Sequence, residues 1–128
     1  MVNLSGGVIL EDLKLFDAEY KFLDIIWEFE PINSTELTKL SMQRLGWKKS
    51  TTYTMIRKLS QRGILKNENA TVRALVKREK VQKYQSQELI EKTFDGSLPT
   101  FLAAFLKDKK LSKKQAEEIK EMIEEATK

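Results

Sequence analysis

A mostly α-helical chain with one short β-hairpin is the fold class that the sequence predicts, and two observations lead to it. Apolar residues recur at helical spacing in six separate stretches of the 128 residues. Two β-capable runs, Ile64-Leu65-Lys66 and residues 72–76, lie between the third and the fourth of these stretches. The order predicts a unit of three helices and a hairpin, followed by a C-terminal segment of three helices.

The first helix is predicted to begin near Asp17, because aspartate is a favourable N-cap, and to end near Glu28. Pro31 prevents it from continuing. Its buried side is expected to carry Phe16, Tyr20, Leu23, Ile26 and Trp27. Residues 1–15 show little periodicity, so we expect an N-terminal arm before this helix.

The second helix has clear signals at both ends. Asn33-Ser34-Thr35-Glu36 has the pattern of a capping box, and Gly46 is a typical terminator after a helix that ends near Leu45. Leu37 and Leu40 are predicted to point inward. Only the short turn 46–48 precedes the third helix, which is the spacing of a helix-turn-helix unit.

The third helix, residues 49–63, has two chemically different sides. One side carries the core residues Thr52, Met55, Ile56 and Leu59 at helical spacing. The other side carries hydroxyl, amide and cationic groups without a carboxylate: Ser50, Thr54, Arg57 and Gln61, with Thr51, Tyr53 and Lys58 at its margins. Such a side suits a DNA major groove, whose bases present donors, acceptors and methyl groups. The alternative is a solvated side that lacks acids by chance.

The hairpin after Gly63 is predicted to form a two-stranded wing with its turn at Asn67-Glu68-Asn69. A hairpin this short needs to pack against the helices, which leaves Lys66, Arg73 or Lys77 free to contact a phosphate. A solvated hairpin is the alternative. Three helices followed by such a hairpin make a winged helix.

Charge is distributed unevenly along the chain, although the net charge is only +4. Residues 1–30 contain two lysines against seven acids, and residues 31–83 contain thirteen cations against three acids. Residues 84–128 are nearly balanced. The basic middle segment coincides with the predicted helix-turn-helix and wing, which indicates a polyanionic partner.

Several classes of function are disfavoured by composition. The chain has no cysteine and no histidine, which removes disulfides, thiolate metal sites and the commonest general base, so we expect neither an enzyme, a metal site nor a cofactor. No stretch is long and apolar enough to span a membrane, and the N-terminus does not resemble a signal peptide. A cytoplasmic location is expected.

The C-terminal segment contains three apolar stripes within about 45 residues. The fourth helix is predicted to end at Asp95-Gly96, and the last helix to open with the capping box Ser112-Lys113-Lys114-Gln115. Helices this short cannot bury such stripes alone, so a second copy of the chain is the expected partner. The residues assigned to dimerisation are Leu98, Phe101, Leu102, Phe105, Ile119, Met122 and Ile123.

These patterns divide the chain into an arm at 1–15, a DNA-binding winged helix at 16–79 and a helical dimerisation domain at 80–128. The predicted function is sequence-specific binding of double-stranded DNA. The residues assigned to DNA binding are Lys48, Lys49, Ser50, Thr51, Tyr53, Thr54, Arg57, Lys58, Lys66 and Arg73.

The chain also resembles the BlaI/MecI-type penicillinase repressors, a family of bacterial winged-helix regulators, over roughly residues 16–125. The matching segments are Ala18-Glu19, Ile25-Ile26-Trp27, Ile56-Arg57-Lys58-Leu59, Gly63-Ile64-Leu65 and Phe94-Asp95-Gly96-Ser97, with Leu111-Ser112 before a Glu-rich helix. The resemblance implies a homodimeric repressor that binds a palindromic operator with the third helix of each subunit in a major groove.

Three departures limit what the resemblance implies. Copper-responsive relatives end in a cysteine-rich motif, which this chain lacks, so copper sensing is not expected. Resistance repressors are inactivated by a protease at an Asn-Phe bond, where Glu88-Leu89 stands here, so cleavage at this position is not expected and no inactivating protease is assigned as a partner. Ser50, Thr52 and Tyr53 differ from better-known members, so the operator sequence does not carry over.

Two other classes remain open at the level of sequence. A winged-helix protein-interaction module would use the basic face to bind an acidic partner within a larger assembly. A helical enzyme with a carboxylate site ranks last, because no pair of acids lies in an apolar context and no Gly-rich phosphate loop is present.

Overall fold

The computed structural model describes residues 13–128 and divides them into two units, one ending at Glu88 and the other covering Leu89–Lys128. The mostly helical fold with a small antiparallel sheet confirms the predicted fold class. In chain order the elements are α1 (Asp17–Phe29), β1 (Ile32–Asn33), α2 (Ser34–Leu45), α3 (Lys49–Gln61), β2 (Leu65–Glu68), β3 (Thr71–Ala74), α4 (Arg78–Phe94), α5 (Leu98–Leu106) and α6 (Lys113–Ala126).

The start of α1 corrects the sequence prediction. Phe16, not Asp17, is the N-cap residue, and its side chain is 69% exposed rather than buried. The backbone N–H of Phe16 donates to Glu19 Oε1 at 2.8 Å, so a carboxylate in the first turn provides the acceptor for the N–H of the N-cap residue. Glu19 is only 2% exposed, although the predicted buried side of α1 did not include it.

The ends of α2 lie at the predicted residues, but Glu36 pairs with Lys39 and does not complete the predicted capping box. The side chain of Asn33 accepts a hydrogen bond from the Thr35 backbone N–H at 2.8 Å, and Gly46 ends the helix with a left-handed φ of 71°. Leu37 is buried and Leu40 is half-buried, as predicted. The connection at residues 46–48 is short, so α3 begins directly after the end of α2.

The sheet has three strands in the order β1-β3-β2, so the predicted two-stranded wing lacked one strand. Ile32 pairs with Val72, which attaches the segment before α2 to the wing. The turn is also displaced from its predicted position, because Asn67 and Glu68 belong to β2 and the chain reverses at Asn69-Ala70. Both turn residues have positive φ, 53° and 60°, as tight hairpins with the right-handed strand twist require.

The core of the first unit lies between α1, α2, α3 and the inner face of the sheet. It extends on both sides of the predicted domain limits, because Leu13 and Leu15 are buried before residue 16 and Val81 is fully buried after residue 79. The rest of the predicted N-terminal arm, residues 1–12, lies outside the described residues. The buried apolar residues are Leu13, Leu15, Phe22, Leu23, Ile25, Ile26, Ile32, Leu37, Ile56, Leu59, Ile64, Leu65, Val72, Val76 and Val81.

The second unit contains the end of α4 together with α5 and α6. Asp95 and Gly96 follow α4 with left-handed φ values of 56° and 79°, at the predicted end of that helix. The hydroxyl of Ser112 accepts from the Gln115 backbone N–H at 3.1 Å and forms the predicted capping box of α6. Among residues 13–128, no helix is long and apolar enough to cross a membrane.

Candidate nucleic-acid interface

The acid-free side of α3 is open to solvent. Thr52, Ile56 and Leu59 are buried on the opposite side, and Met55 is half-buried. This burial fixes the rotation of the helix and turns its polar side outward. The exposed side chains are Lys49, Ser50, Thr51, Thr54, Arg57, Lys58 and Gln61, preceded by the exposed Lys48.

The N-terminus of α3 is built without a negative charge. Lys48 is the N-cap residue, its side chain makes no capping hydrogen bond, and the first turn contains no acid. The backbone N–H groups of a first turn have no partner within their own helix, and the helix dipole places positive charge there. Together with Lys48 and Lys49, this end of α3 has the chemistry that binds a phosphate.

Tyr53 differs from the other predicted DNA-binding residues, because it is half-buried. Its hydroxyl lies 3.4 Å from Ser34 Oγ at the start of α2, and Lys49 Nζ lies 6.0 Å from the centre of its ring. Tyr53 therefore contributes to the packing between α2 and α3 as well as to the exposed surface.

Lys58 is held on the side of α3 that faces α1. Its Nζ lies 3.4 Å from Oε2 of the buried Glu19, and Arg62 Nη1 lies 3.2 Å from the same oxygen. Arg62 Nη2 also donates to the Lys14 carbonyl at 2.6 Å. Sequence reasoning assigned Lys58 to DNA and did not identify this cluster, since only the fold brings Glu19 next to α3.

The outward face of the wing carries two cations side by side. Lys66 on β2 is directly opposite Arg73 on β3, and both side chains are exposed. Glu68, two residues after Lys66 on the same face, places Oε2 at 2.9 Å from Lys66 Nζ. The hydrogen bond from Lys66, together with the charges of Lys66 and Arg73, lowers the pKa of Glu68 below its usual value.

A cleft of about 340 Å³ separates α3 from the wing. Tyr53, Ile56, Arg57 and Ser60 line one wall, and Asn67 lines the other. The sequence predicted a role in binding for neither Ser60 nor Asn67. Asn67 was assigned to the turn, and the cleft that Ser60 and Asn67 line exists only once the wing packs beside α3. The register of Asn67 opposite Val72 shows instead that it lies on the face of the hairpin opposite to Lys66 and Arg73.

The residues predicted to dimerise all lie in the second unit, and none of residues 89–128, a segment described throughout, is buried. Met122 is 66% exposed and Ile123 is 53% exposed on α6. On α5, Phe101 stacks on Phe105 at 5.7 Å between ring centres. This unit therefore exposes apolar surface on both α5 and α6.

Comparison with known proteins decides the family. The family model described as penicillinase repressor matches residues 15–125. The chain belongs to the penicillinase repressor family. A penicillinase repressor of Bacillus licheniformis is 25% identical over 117 residues, which cover 88% of this chain and 91% of that protein.

Membership of the penicillinase repressor family makes this chain a DNA-binding transcriptional regulator and not an enzyme. Within residues 13–128 there is no cluster of three or more acidic side chains arranged to hold a metal ion. The exposed side of α3 and the wing are the surfaces of this penicillinase repressor family member whose chemistry suits DNA.

Proposed function

We propose that the chain is a homodimeric repressor that binds a palindromic operator, with α3 of each subunit in a major groove. The observation that carries this proposal is the exposed, acid-free side of α3, which combines the base-reading potential of Arg57 with the hydroxyls of Ser50, Thr51 and Thr54. Membership of the penicillinase repressor family supports the same conclusion.

Base reading and phosphate contact fall to different residues in this proposal. Arg57 is long enough to reach a guanine, while Ser50, Thr51 and Thr54 lie closer to the helix start and accept or donate at base edges. Lys48 and Lys49 at the N-terminus of α3, together with Lys66 and Arg73 on the wing, contact phosphates and set the register of the protein on the duplex. Tyr53 and Lys58 act from the margins of α3, since each has a partner within the fold.

Dimerisation is assigned to the second unit because its apolar side chains are exposed in a single chain. Leu98, Phe105, Ile119, Met122 and Ile123 are all large, apolar and open to solvent. Packing against a second copy of the same chain removes this apolar surface from water in both copies. We therefore assign DNA binding to the first unit, which ends at Glu88, and dimerisation to the second unit, Leu89–Lys128.

The pairing of two subunits matters for DNA affinity. Two recognition helices related by a two-fold axis reach half-sites about one helical turn, or a multiple of it, apart. Once one subunit is bound, the second contact is intramolecular, which raises avidity by roughly 10²–10⁴ without any new contact.

The test begins with selection of bound duplexes from a random pool, because the operator is not known. The proposal expects the selected sequences to share an inverted repeat that resists competition by excess random duplex. Selected sequences without two-fold symmetry would refute the proposal. It would also be refuted if random duplex competed as well as the selected duplex, which is the behaviour expected of a protein-interaction module.

Dimerisation is tested on the same operator with Ile119→Asp combined with Ile123→Asp. Unpaired charge on the apolar face of α6 is expected to give a monomer by sedimentation and to weaken operator binding by a factor in the range of roughly 10²–10⁴. Ser86→Asp with Gln87→Asp adds the same charge at exposed polar positions of α4 and is expected to remain a dimer. A monomeric α6 variant that binds as tightly as the parent would contradict the link between dimerisation and repression.

A further inference from the structure

The wing contains an acid at the place where its cations would meet a phosphate. Glu68 is the only carboxylate in residues 64–76, and it lies on the same face of the hairpin as Lys66 and Arg73. Lys66 and Arg73 are direct cross-strand neighbours, an arrangement of like charges that is unfavourable without a counter-charge. Glu68 supplies that counter-charge from within the chain.

The contact between Glu68 and Lys66 is a direct ion pair. Glu68 Oε2 lies 2.9 Å from Lys66 Nζ, which is the distance of a charge-assisted hydrogen bond. Both side chains are about half exposed, so solvent and salt compete with the pair and keep it weak. A carboxylate and a phosphate offer the same anionic oxygen acceptors to a lysine.

We propose that Glu68 is an internal competitor of the DNA backbone, which occupies Lys66 in the free protein and thereby limits sequence-independent affinity. The inference rests on the proposed function, because it requires the wing to contact DNA phosphates. Its consequence is that a phosphate contact of Lys66 replaces one ion pair with another and adds little affinity. Discrimination between sequences is then left to α3, whose exposed side carries no acid.

A neutral isostere separates this role from a structural one. Glu68→Gln keeps the shape of the side chain and removes its charge, and Glu36→Gln removes a matched exposed carboxylate that pairs with Lys39 at 3.5 Å on α2. We expect Glu68→Gln to bind random duplex roughly two- to fivefold more tightly than the parent at low salt, and Glu36→Gln to show no such gain. The selected operator should gain by the same factor as random duplex, because no base contact changes.

The salt dependence provides a readout that a change in folding would not produce. Freeing Lys66 for a phosphate should steepen the slope of log affinity against log salt by about 0.9 for each wing that engages DNA. Lys66→Gln should cost more affinity in the Glu68→Gln background than in the parent, since only there is Lys66 without its internal partner. A thermal melt of each variant confirms that equal amounts of folded protein are compared.

The possible outcomes separate this inference from the proposed function. If the parent binds duplex with an ordinary salt slope and Glu68→Gln matches Glu36→Gln or binds more weakly, the competitor role of Glu68 is refuted and DNA binding stands. If the parent binds no duplex at all, the proposed function itself fails. A tighter Glu68→Gln variant whose gain survives replacement of Lys66 would also refute the inference, because the gain would not pass through Lys66.

Discussion

Glu19 on α1 and Lys58 on α3 form an ion pair across the winged-helix unit, with 3.4 Å between Oε2 and Nζ. Glu19 is 2% exposed, and Arg62 approaches the same oxygen at 3.2 Å. The other carboxylate oxygen accepts from the Phe16 backbone N–H. One buried carboxylate therefore joins the beginning of α1 to the second half of the proposed recognition helix.

Replacing Glu19 with glutamine is expected to lower the free energy of unfolding by about 1–3 kcal/mol. The substitution removes the buried negative charge that pairs with Lys58 and Arg62, and the partial exposure of these two cations keeps the cost below that of a fully buried pair. Urea denaturation measures the change. Glu117→Gln is the control, because Glu117 pairs with Lys120 at 3.8 Å on the exposed surface of α6 and should cost well under about 1 kcal/mol. Equal losses in the two variants would show that the Glu19 cluster contributes nothing beyond a surface pair.

The hairpin turn offers a stabilising substitution. Ala70 has a φ of 60°, a left-handed conformation that costs an L-residue with a Cβ roughly 1–2 kcal/mol, whereas glycine adopts it freely. Ala70→Gly is therefore expected to raise the free energy of unfolding by about 0.5–1 kcal/mol after the greater flexibility of glycine in the unfolded chain is included. The control is Ala74→Gly, an alanine within β3, which should destabilise the protein. Destabilisation of both variants in urea would contradict the left-handed turn at Asn69-Ala70.

The sequence predicted those elements whose signals are local. The cap at Asn33, the left-handed end at Gly46 and the capping box at Ser112 each depend on residues within one or two turns, and all three are present in the structure. The side of α3 that faces solvent was also predictable, because helical periodicity alone identifies which residues are buried.

The sequence did not predict features that depend on distant parts of the chain. The two-residue strand β1 exists only because Ile32 and Asn33 find a partner in β3, about 40 residues later. Nothing in the sequence next to Glu19 indicates burial, which becomes favourable only because the fold brings Lys58 and Arg62 of α3 and its C-terminal end close to the carboxylate. The position of Lys66 directly opposite Arg73 depends on the hairpin register, and the predicted turn at 67–69 gave a different register.

Stability and DNA binding are expected to change little between about pH 6 and pH 8 at constant ionic strength. The chain contains no histidine or cysteine, the side chains that ordinarily titrate in or near this range. Urea denaturation and operator titration at several pH values measure both quantities. A marked change of either across this range would indicate a strongly displaced pKa that the fold does not suggest.

Lowering the pH is expected to remove a stabilising contribution of Glu28 to the free energy of unfolding. The hydrogen bond from Arg44 lowers the pKa of Glu28 below 4.5 in the folded protein, while the unfolded chain keeps the usual value. Because the folded pKa is the lower one, the contribution is fully present above about pH 4.5 and is lost as the pH falls through the folded pKa. A carboxyl chemical-shift titration measures the pKa of Glu28, which should rise in Arg44→Gln. An unchanged pKa in that variant would contradict the assigned cause.

The division between base reading and phosphate contact predicts different consequences for two exposed arginines, Arg57 on α3 and Arg73 on the wing. Arg57→Ala should lower operator affinity by about 1–3 kcal/mol and relax the preference at one or two positions of the operator, because a base contact is lost. Arg73→Ala should weaken operator and random duplex by the same factor and make the salt slope shallower by about 0.9 for each wing, because a phosphate contact is lost. Titrations against the selected operator, single-base variants of it and random duplex separate the two patterns. The opposite pattern would be that Arg57→Ala weakens all duplexes equally while Arg73→Ala changes the preferred sequence. The wing would then read the bases and α3 would bind the backbone, so the proposed docking of α3 in the major groove would be wrong.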